Sequence, residues 1–238
     1  GEFSKGQSKK NAVKHKKVGA IYMRAEMPYK ILQVKADYSH TKKEGEDLEY
    51  FNKSQLMRYM TYMNVYKAYY CQVIEASSIR TLPLGGIVLG IIKTMIARGG
   101  AKTKLEEERL NPVGYKLFRG AMNPKFLTYI DPEDGYPVIL PVLQLQNADH
   151  NRLVFSPSVL KQDLMKIPVN STVAVLAMNM SLANQLAKGT FLGIERYRGI
   201  KLGIIDIEEI YNSSPPIPGV IYPEIYRRPK VEQFDYEL

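Results

Sequence analysis

Phe126–Pro141, FLTYIDPEDGYPVILP, is the stretch on which the fold turns. A short apolar run of β-forming residues meets an Asp-Pro-Glu-Asp-Gly turn and is followed by a second apolar run, which is the pattern of a β-hairpin. Pro137 and Pro141 stand four residues apart. In an extended strand both therefore point their missing N–H groups to the same side, and that side loses two ladder donors. The second strand is thus expected at a sheet edge or a bulge, or beside something other than another strand. Asp131, Glu133 and Asp134 crowd the turn, and turn chemistry accounts for them.

Working outward, Arg152–Ser156 (RLVFS) predicts a short strand and Ser158–Ile167 (SVLKQDLMKI) a helix, entered after Pro157 with Ser158 as N-cap and stopped by Pro168. A helix N-terminus offers unpaired N–H groups and a partial positive charge. A serine hydroxyl with a lysine one turn in, Ser158 and Lys161, would then form a phosphate-binding corner; the plainer reading is an ordinary cap with a solvated lysine. Thr172–Met178 predicts the next strand. Lys188–Ile194 and Lys201–Ile207 predict a long hairpin around Tyr197–Gly199. Ser213–Gly219 (SSPPIPG) is too rich in proline for helix or interior strand.

This ordered series resembles the FMN-binding split barrel of the pyridoxamine-phosphate-oxidase-like superfamily, over residues 120–223. The resemblance implies an α+β, mainly antiparallel β fold, a split β-barrel with an N-terminal helical extension, and FMN as cofactor. Carried over residue by residue, it assigns the phosphate to Ser156, Ser158 and Lys161 and the flavin ring to the neighbourhood of Val138, Ile139, Leu140 and Pro141, with Thr128 and Lys188 as looser candidates. It also implies a homodimer, with the flavin site completed across a twofold axis. The oxidases proper carry an Arg-rich strand and an Arg-rich C-terminus. Here the region after Thr128 lacks the former, and Arg227-Arg228 leads into an acidic tail, so that specific activity is not expected. The reading is a flavoprotein, an FMN-dependent oxidoreductase of unidentified substrate. The alternatives are a flavin- or haem-binding module without turnover, and an interaction protein that has lost its ligand. No residue stands out as catalytic, since a flavin carries the redox chemistry itself.

Composition sets bounds on these readings. The chain has 238 residues, a formal net charge of +9 and one cysteine, Cys71, read as a small buried hydrophobe. A lone cysteine allows no intrachain disulfide and points to a reducing, cytoplasmic setting. Residues 1–17 hold six lysines against Glu2, a net of +5, and read as a disordered, dispensable tail; the remainder carries only +4. A folded nucleic-acid face is therefore not expected. The basic start is not followed by an apolar core, so no secretory signal is expected. His15, His40 and His150 are far apart and show no metal-ligand spacing; solvated side chains are expected.

Between the tail and the barrel, residues 18–119 read as an extension packing on the barrel or on a partner chain, and residues 224–238 as a C-terminal tail. Val18–Met23 and Tyr29–Ala36 predict strands, and Ser39–Asp47 a polar loop. Leu56, Tyr59, Met63, Tyr66, Tyr70 and Val73 recur at helical spacing and predict one long helix over Leu48–Ser77. Leu82–Ile92 (LPLGGIVLGII) is apolar but too short to span a bilayer, and a helix over Gly85–Ala97 is expected. A buried helix or subunit interface is the favoured reading of this run, and a membrane-surface helix the less favoured one. Lys102–Arg109 reads as a solvated, ion-paired helix face.

Overall fold

The computed structural model describes residues 7–24, 26–53, 65–103, 105–179, 183–212 and 219–223. Two antiparallel sheets and a few short helices make up an α+β protein dominated by β-structure. The N-terminal sheet contains β1 (Lys17–Met23), β2 (Lys30–Lys42), β3 (Ala68–Ala76) and β4 (Arg80–Thr81), with β2 central. Among the described residues the larger sheet has eight strands. These are β5 (Lys125–Ile130), β6 (Pro137–Pro141), β7 (Gln146–Asn147), β8 (Arg152–Phe155), β9 (Ser171–Met178), β10 (Asn184–Tyr197), β11 (Ile200–Asn212) and β12 (Gly219–Tyr222). Their order is β6-β5-β9-β10-β11-β8-β7, with β12 also on β11.

Period-two alternation explains the core of the larger sheet. Leu127 and Tyr129 of β5, Val173, Val175 and Ala177 of β9, and Ala187 and Phe191 of β10 all turn inward. Leu140 of β6 and Leu153 and Phe155 of β8 join the same cluster, so the sheet curls until strands from its two ends share one interior. Lys125 lies two residues before Leu127 on the inward face and is fully buried. Its ammonium donates to the carbonyls of Gly120 (2.6 Å) and Asn123 (3.1 Å), and burial pulls its pKa down to about 8. The β10–β11 hairpin turns on Arg198 and Gly199, both at positive φ (50° and 76°), the backbone that a two-residue hairpin turn requires.

The proline-bearing strand sits where its missing donors predict. Within its sheet β6 pairs only with β5, and its other side faces the N-terminal sheet. Gly19 of β1 makes this approach feasible: a Cβ there would lie 2.1 Å from the Pro137 carbonyl oxygen. Gln33 Nε2 of β2 donates to the Ile139 carbonyl (2.6 Å). The Asp-Pro-Glu-Asp-Gly turn also does more than turn. Asp134 pairs with Lys35 (2.5 Å) and its carbonyl accepts from Lys17, while the Tyr136 hydroxyl donates to Asp37 (2.8 Å). Arg80 of β4 reaches Asp163 (2.7 Å).

The helices depart most from the sequence reading. α1 (Gln7–His15) occupies part of the expected disordered tail and leads directly into β1. Of the predicted Leu48–Ser77 helix, only the beginning belongs to α2 (Glu46–Asn52), while Tyr70 and Val73 lie on β3. Leu56, Tyr59 and Met63 fall outside the described residues. The AYYCQVIEA composition suits a pleated strand paired to β2, and that pairing overrides the helical spacing. Cys71, expected buried, is exposed there. Half of the expected Ser39–Asp47 loop belongs to β2. α3 (Leu84–Ala97) matches its expectation closely. Lys102–Arg109 contains no helix among its described residues, and Arg109 instead donates to the Ile207 carbonyl. α4 (Pro112–Arg119) is capped by Asn111, whose side chain accepts from the Gly114 N–H (2.7 Å). Residues 213–218 and 224–238, including most of the proline-rich segment and the whole C-terminal tail, lie outside the described residues.

Candidate functional site

The segment after β8 builds the site. Ser156 is buried and locked from two sides: its N–H donates to Thr94 Oγ1 of α3 (2.9 Å), and its carbonyl accepts from Gln144 Nε2 (2.9 Å). Its hydroxyl meets that of Ser158 at 2.6 Å. Pro157 lies between the two serines. The chain then places Leu160 in the left-handed region (φ 54°) and enters α5, which comprises only Lys161–Leu164. Ser158 is therefore not an N-cap, and the helix is far shorter than the expected Ser158–Ile167. The unfavourable φ at Leu160 interrupts it at the start, and Pro168 limits it at the end.

The helix-dipole argument for phosphate therefore falls, but the residues it named converge by another route. Ser156, Ser158 and Lys161 line one recess of about 350 Å³, together with Lys93 of α3 and Arg196 and Lys201 from the arms of the β10–β11 hairpin. Four cations face this space, and among the described residues no carboxylate lines it. Such a concentration of one sign of charge attracts anions, and lysine, guanidinium and hydroxyl donors together suit the several acceptor oxygens of a phosphate.

The remaining candidates are placed elsewhere. Thr128 and Ile139 line a larger pocket of about 610 Å³ between the β5–β6 hairpin and the N-terminal segment, where His15, Lys17 and Gly19 form the opposing wall. Val138 and Ile139 line a small recess of about 100 Å³ beside Gln33 and Ser77. Leu140 and Pro141 are buried and offer no surface to a ring. Lys188 is engaged across the ladder with Glu209 (2.5 Å). His150, expected solvated, is partly buried: it stacks on Tyr115 (4.3 Å) and its Nδ1 contacts the Leu110 carbonyl oxygen (2.8 Å). The single chain thus assembles the phosphate candidates but leaves the ring candidates divided among two other recesses and the core.

Sequence reasoning missed Lys93, Arg196 and Lys201. Lys93 was visible as the charge that ends an apolar run, and the other two as cations flanking a hairpin turn. Nothing local links three positions that far apart along the chain.

No protein-family model matches the chain, and no curated protein matches it. Among solved structures, a point-substituted form of HupZ from Group A Streptococcus aligns with 17% identity over 43% of this chain and 98% of that one, at a TM-score of 0.35. Another HupZ structure from the same source aligns with 17% identity over 40% and 90%, at a TM-score of 0.33. Similarity this weak carries no inference about function.

Proposed function

We propose that the chain binds a phosphate-bearing cofactor, FMN being the candidate that the split-barrel resemblance implies, with the phosphate held in the recess between α3, the Ser156–Lys161 segment and the tip of the β10–β11 hairpin. The observation that carries this reading is the convergence of Lys93, Lys161, Arg196 and Lys201 with two serine hydroxyls around a space that no carboxylate among the described residues lines. These residues fit the phosphate end of the cofactor. Lys161 and Lys201 are exposed and free to reorient toward an anion, whereas Ser156 is fixed by its backbone bonds and holds the Ser158 hydroxyl at the rim. When bound, FMN supplies the electron and hydride chemistry, and the protein's part is to hold and orient it. The ring candidates do not meet the phosphate candidates within one recess, so the split-barrel reading draws on a second copy, in a twofold homodimer, to complete the seat of the ring.

A charge-assisted hydrogen bond to phosphate contributes on the order of 1.5–3 kcal/mol, so Lys161→Ala is expected to weaken FMN binding by roughly ten- to a hundredfold. Lys201→Ala should act in the same direction. Riboflavin lacks the phosphate, and its affinity should hardly change. Fluorescence titration of the wild-type chain and both variants with the two ligands makes the comparison. Equal losses for FMN and riboflavin, or no FMN binding by the wild type, would overturn the assignment.

A further inference from the structure

α3 carries its apolar residues on the unexpected side. Its inward face is made of Ile87, Gly90, Thr94 and Ala97, three of them small, and Gly90 sits close against the Gln144 side chain. Leu84, Val88, Leu89, Ile92, Met95 and Ile96 project outward, each about half exposed. Together they form one contiguous apolar face, the kind of exposed patch that on a monomer is often a binding surface. The expectation that this run is buried is thus met only on its narrow inner side. At 14 residues the helix is about 21 Å long, and no helix among the described residues is long and apolar enough to cross a membrane.

The charge around this face selects its partner. Between Glu75 and Glu106 the sequence contains no acid. Lys93 lies one helical turn from Leu89 and from Ile96, on the flank of the apolar face, and opens into the recess shared with Lys161, Arg196 and Lys201. At the C-terminal end Arg198 donates to the Ile96 carbonyl (3.2 Å). The carboxylate on that hairpin arm, Glu195, is held by the Tyr197 hydroxyl (2.5 Å). A second copy docked by a twofold axis through α3 would set this basic rim against itself, cation facing cation. An anionic lipid surface complements both features at once: it takes apolar side chains at the headgroup–acyl boundary and cations at the headgroups.

We propose that the outward face of α3 lies in the plane of an anionic lipid surface, with Val88, Ile92 and Ile96 entering the boundary and Lys93, Arg198 and Lys201 meeting the headgroups. This surface is distinct from the proposed flavin site in its apolar part and can be tested without flavin. The full chain would be sedimented with vesicles of phosphatidylcholine alone and of phosphatidylcholine containing phosphatidylserine. Binding is expected only to the second and should weaken as salt is raised, because a Debye length shortens to about 8 Å at physiological ionic strength. Val88→Ser combined with Ile92→Ser removes two exposed apolar side chains outside the basic recess. It should reduce vesicle partitioning by at least about tenfold while leaving the circular dichroism and any FMN affinity unchanged. Equal binding to both kinds of vesicle, binding to neither, or no effect of the double substitution would each overturn the proposal. So would a micromolar dimer in sedimentation velocity that the same double substitution converts to monomer, which would assign the face to a second copy.

Discussion

The eight-stranded sheet packs side chains with no exposure against one another, among them Leu127, Leu140, Leu153, Phe155 and Val175, whereas the strands of the N-terminal sheet bury only Ile31, Ala36 and Ala68. The ladders of the two are alike, and their supports are not. The larger sheet is stabilised by apolar burial from both of its ends. The smaller one is attached by one small apolar cluster, Ile31, Leu82, Ile87 and Val159, and, along the β6 edge that its prolines leave short of donors, by polar contacts: Lys35 and Lys17 on Asp134, Asp37 on Tyr136, Gln33 on Ile139 and Arg80 on Asp163. An exposed ion pair contributes far less than a buried leucine. The N-terminal sheet should therefore open first, while the core and the basic recess beside it stay formed.

The largest expected effect tests the core side of this contrast. Leu127→Ala removes a fully buried side chain between β6 and β9 and should cost about 3–5 kcal/mol, measured by urea unfolding. A loss below about 1 kcal/mol would mean that the sheet does not close on a packed interior.

Lys125 sharpens the comparison from within that core. Its pKa of about 8 in the folded state lies below the ordinary lysine value of about 10.5. Between those values the unfolded chain holds a proton that the folded chain has released, so stability rises with pH across this window. The gain should reach about 3 kcal/mol near pH 10.5, and below pH 8 this group contributes its full penalty. Unfolding of the wild type and of Lys125→Met, followed from pH 7 to pH 11, isolates this contribution: the wild type should gain on the variant as pH increases. Parallel profiles would show that the ammonium is not desolvated.

The smallest effect falls on the N-terminal sheet. The hydrogen bond from Lys35, with that from the Tyr136 N–H, holds the Asp134 carboxyl below its ordinary pKa, and the same pairing raises Lys35. The contribution of Asp134 is therefore complete above the ordinary carboxylate pKa of about 4 and is lost as pH falls through the depressed value. Hydrogen exchange on acidification should report faster opening of β1 and β2 before β9 and β10, and Asp134→Asn should produce that order at neutral pH. Simultaneous loss of both sheets would break the comparison.

The opening hairpin shows how far local chemistry reaches. Two prolines remove donors wherever the strand lies, so a place for β6 at an edge, at a bulge or beside something other than a strand follows from sequence alone. Apolar runs of β-forming residues marked β5, β6, β8, β9, β10 and β11, and the turn at Tyr197–Gly199 set the long hairpin, because both signals are properties of a few neighbouring residues; β7 and β12 carried no such signal. The apolar run from Leu84 to Ala97 likewise specified a helix. Three outcomes depended on the tertiary structure. Pairing with β2 drew Tyr70 and Val73 out of a helical period into β3, because ladder partners come from a distant segment. Close packing against Gln144 admitted only the small side of α3, so its larger apolar residues were left facing outward. The phosphate candidates acquired Lys93, Arg196 and Lys201 only when α3 and the β10–β11 hairpin met beyond the end of β8. Residue type and spacing determine what a segment can form; which charges face one another depends on contacts between segments far apart in the chain.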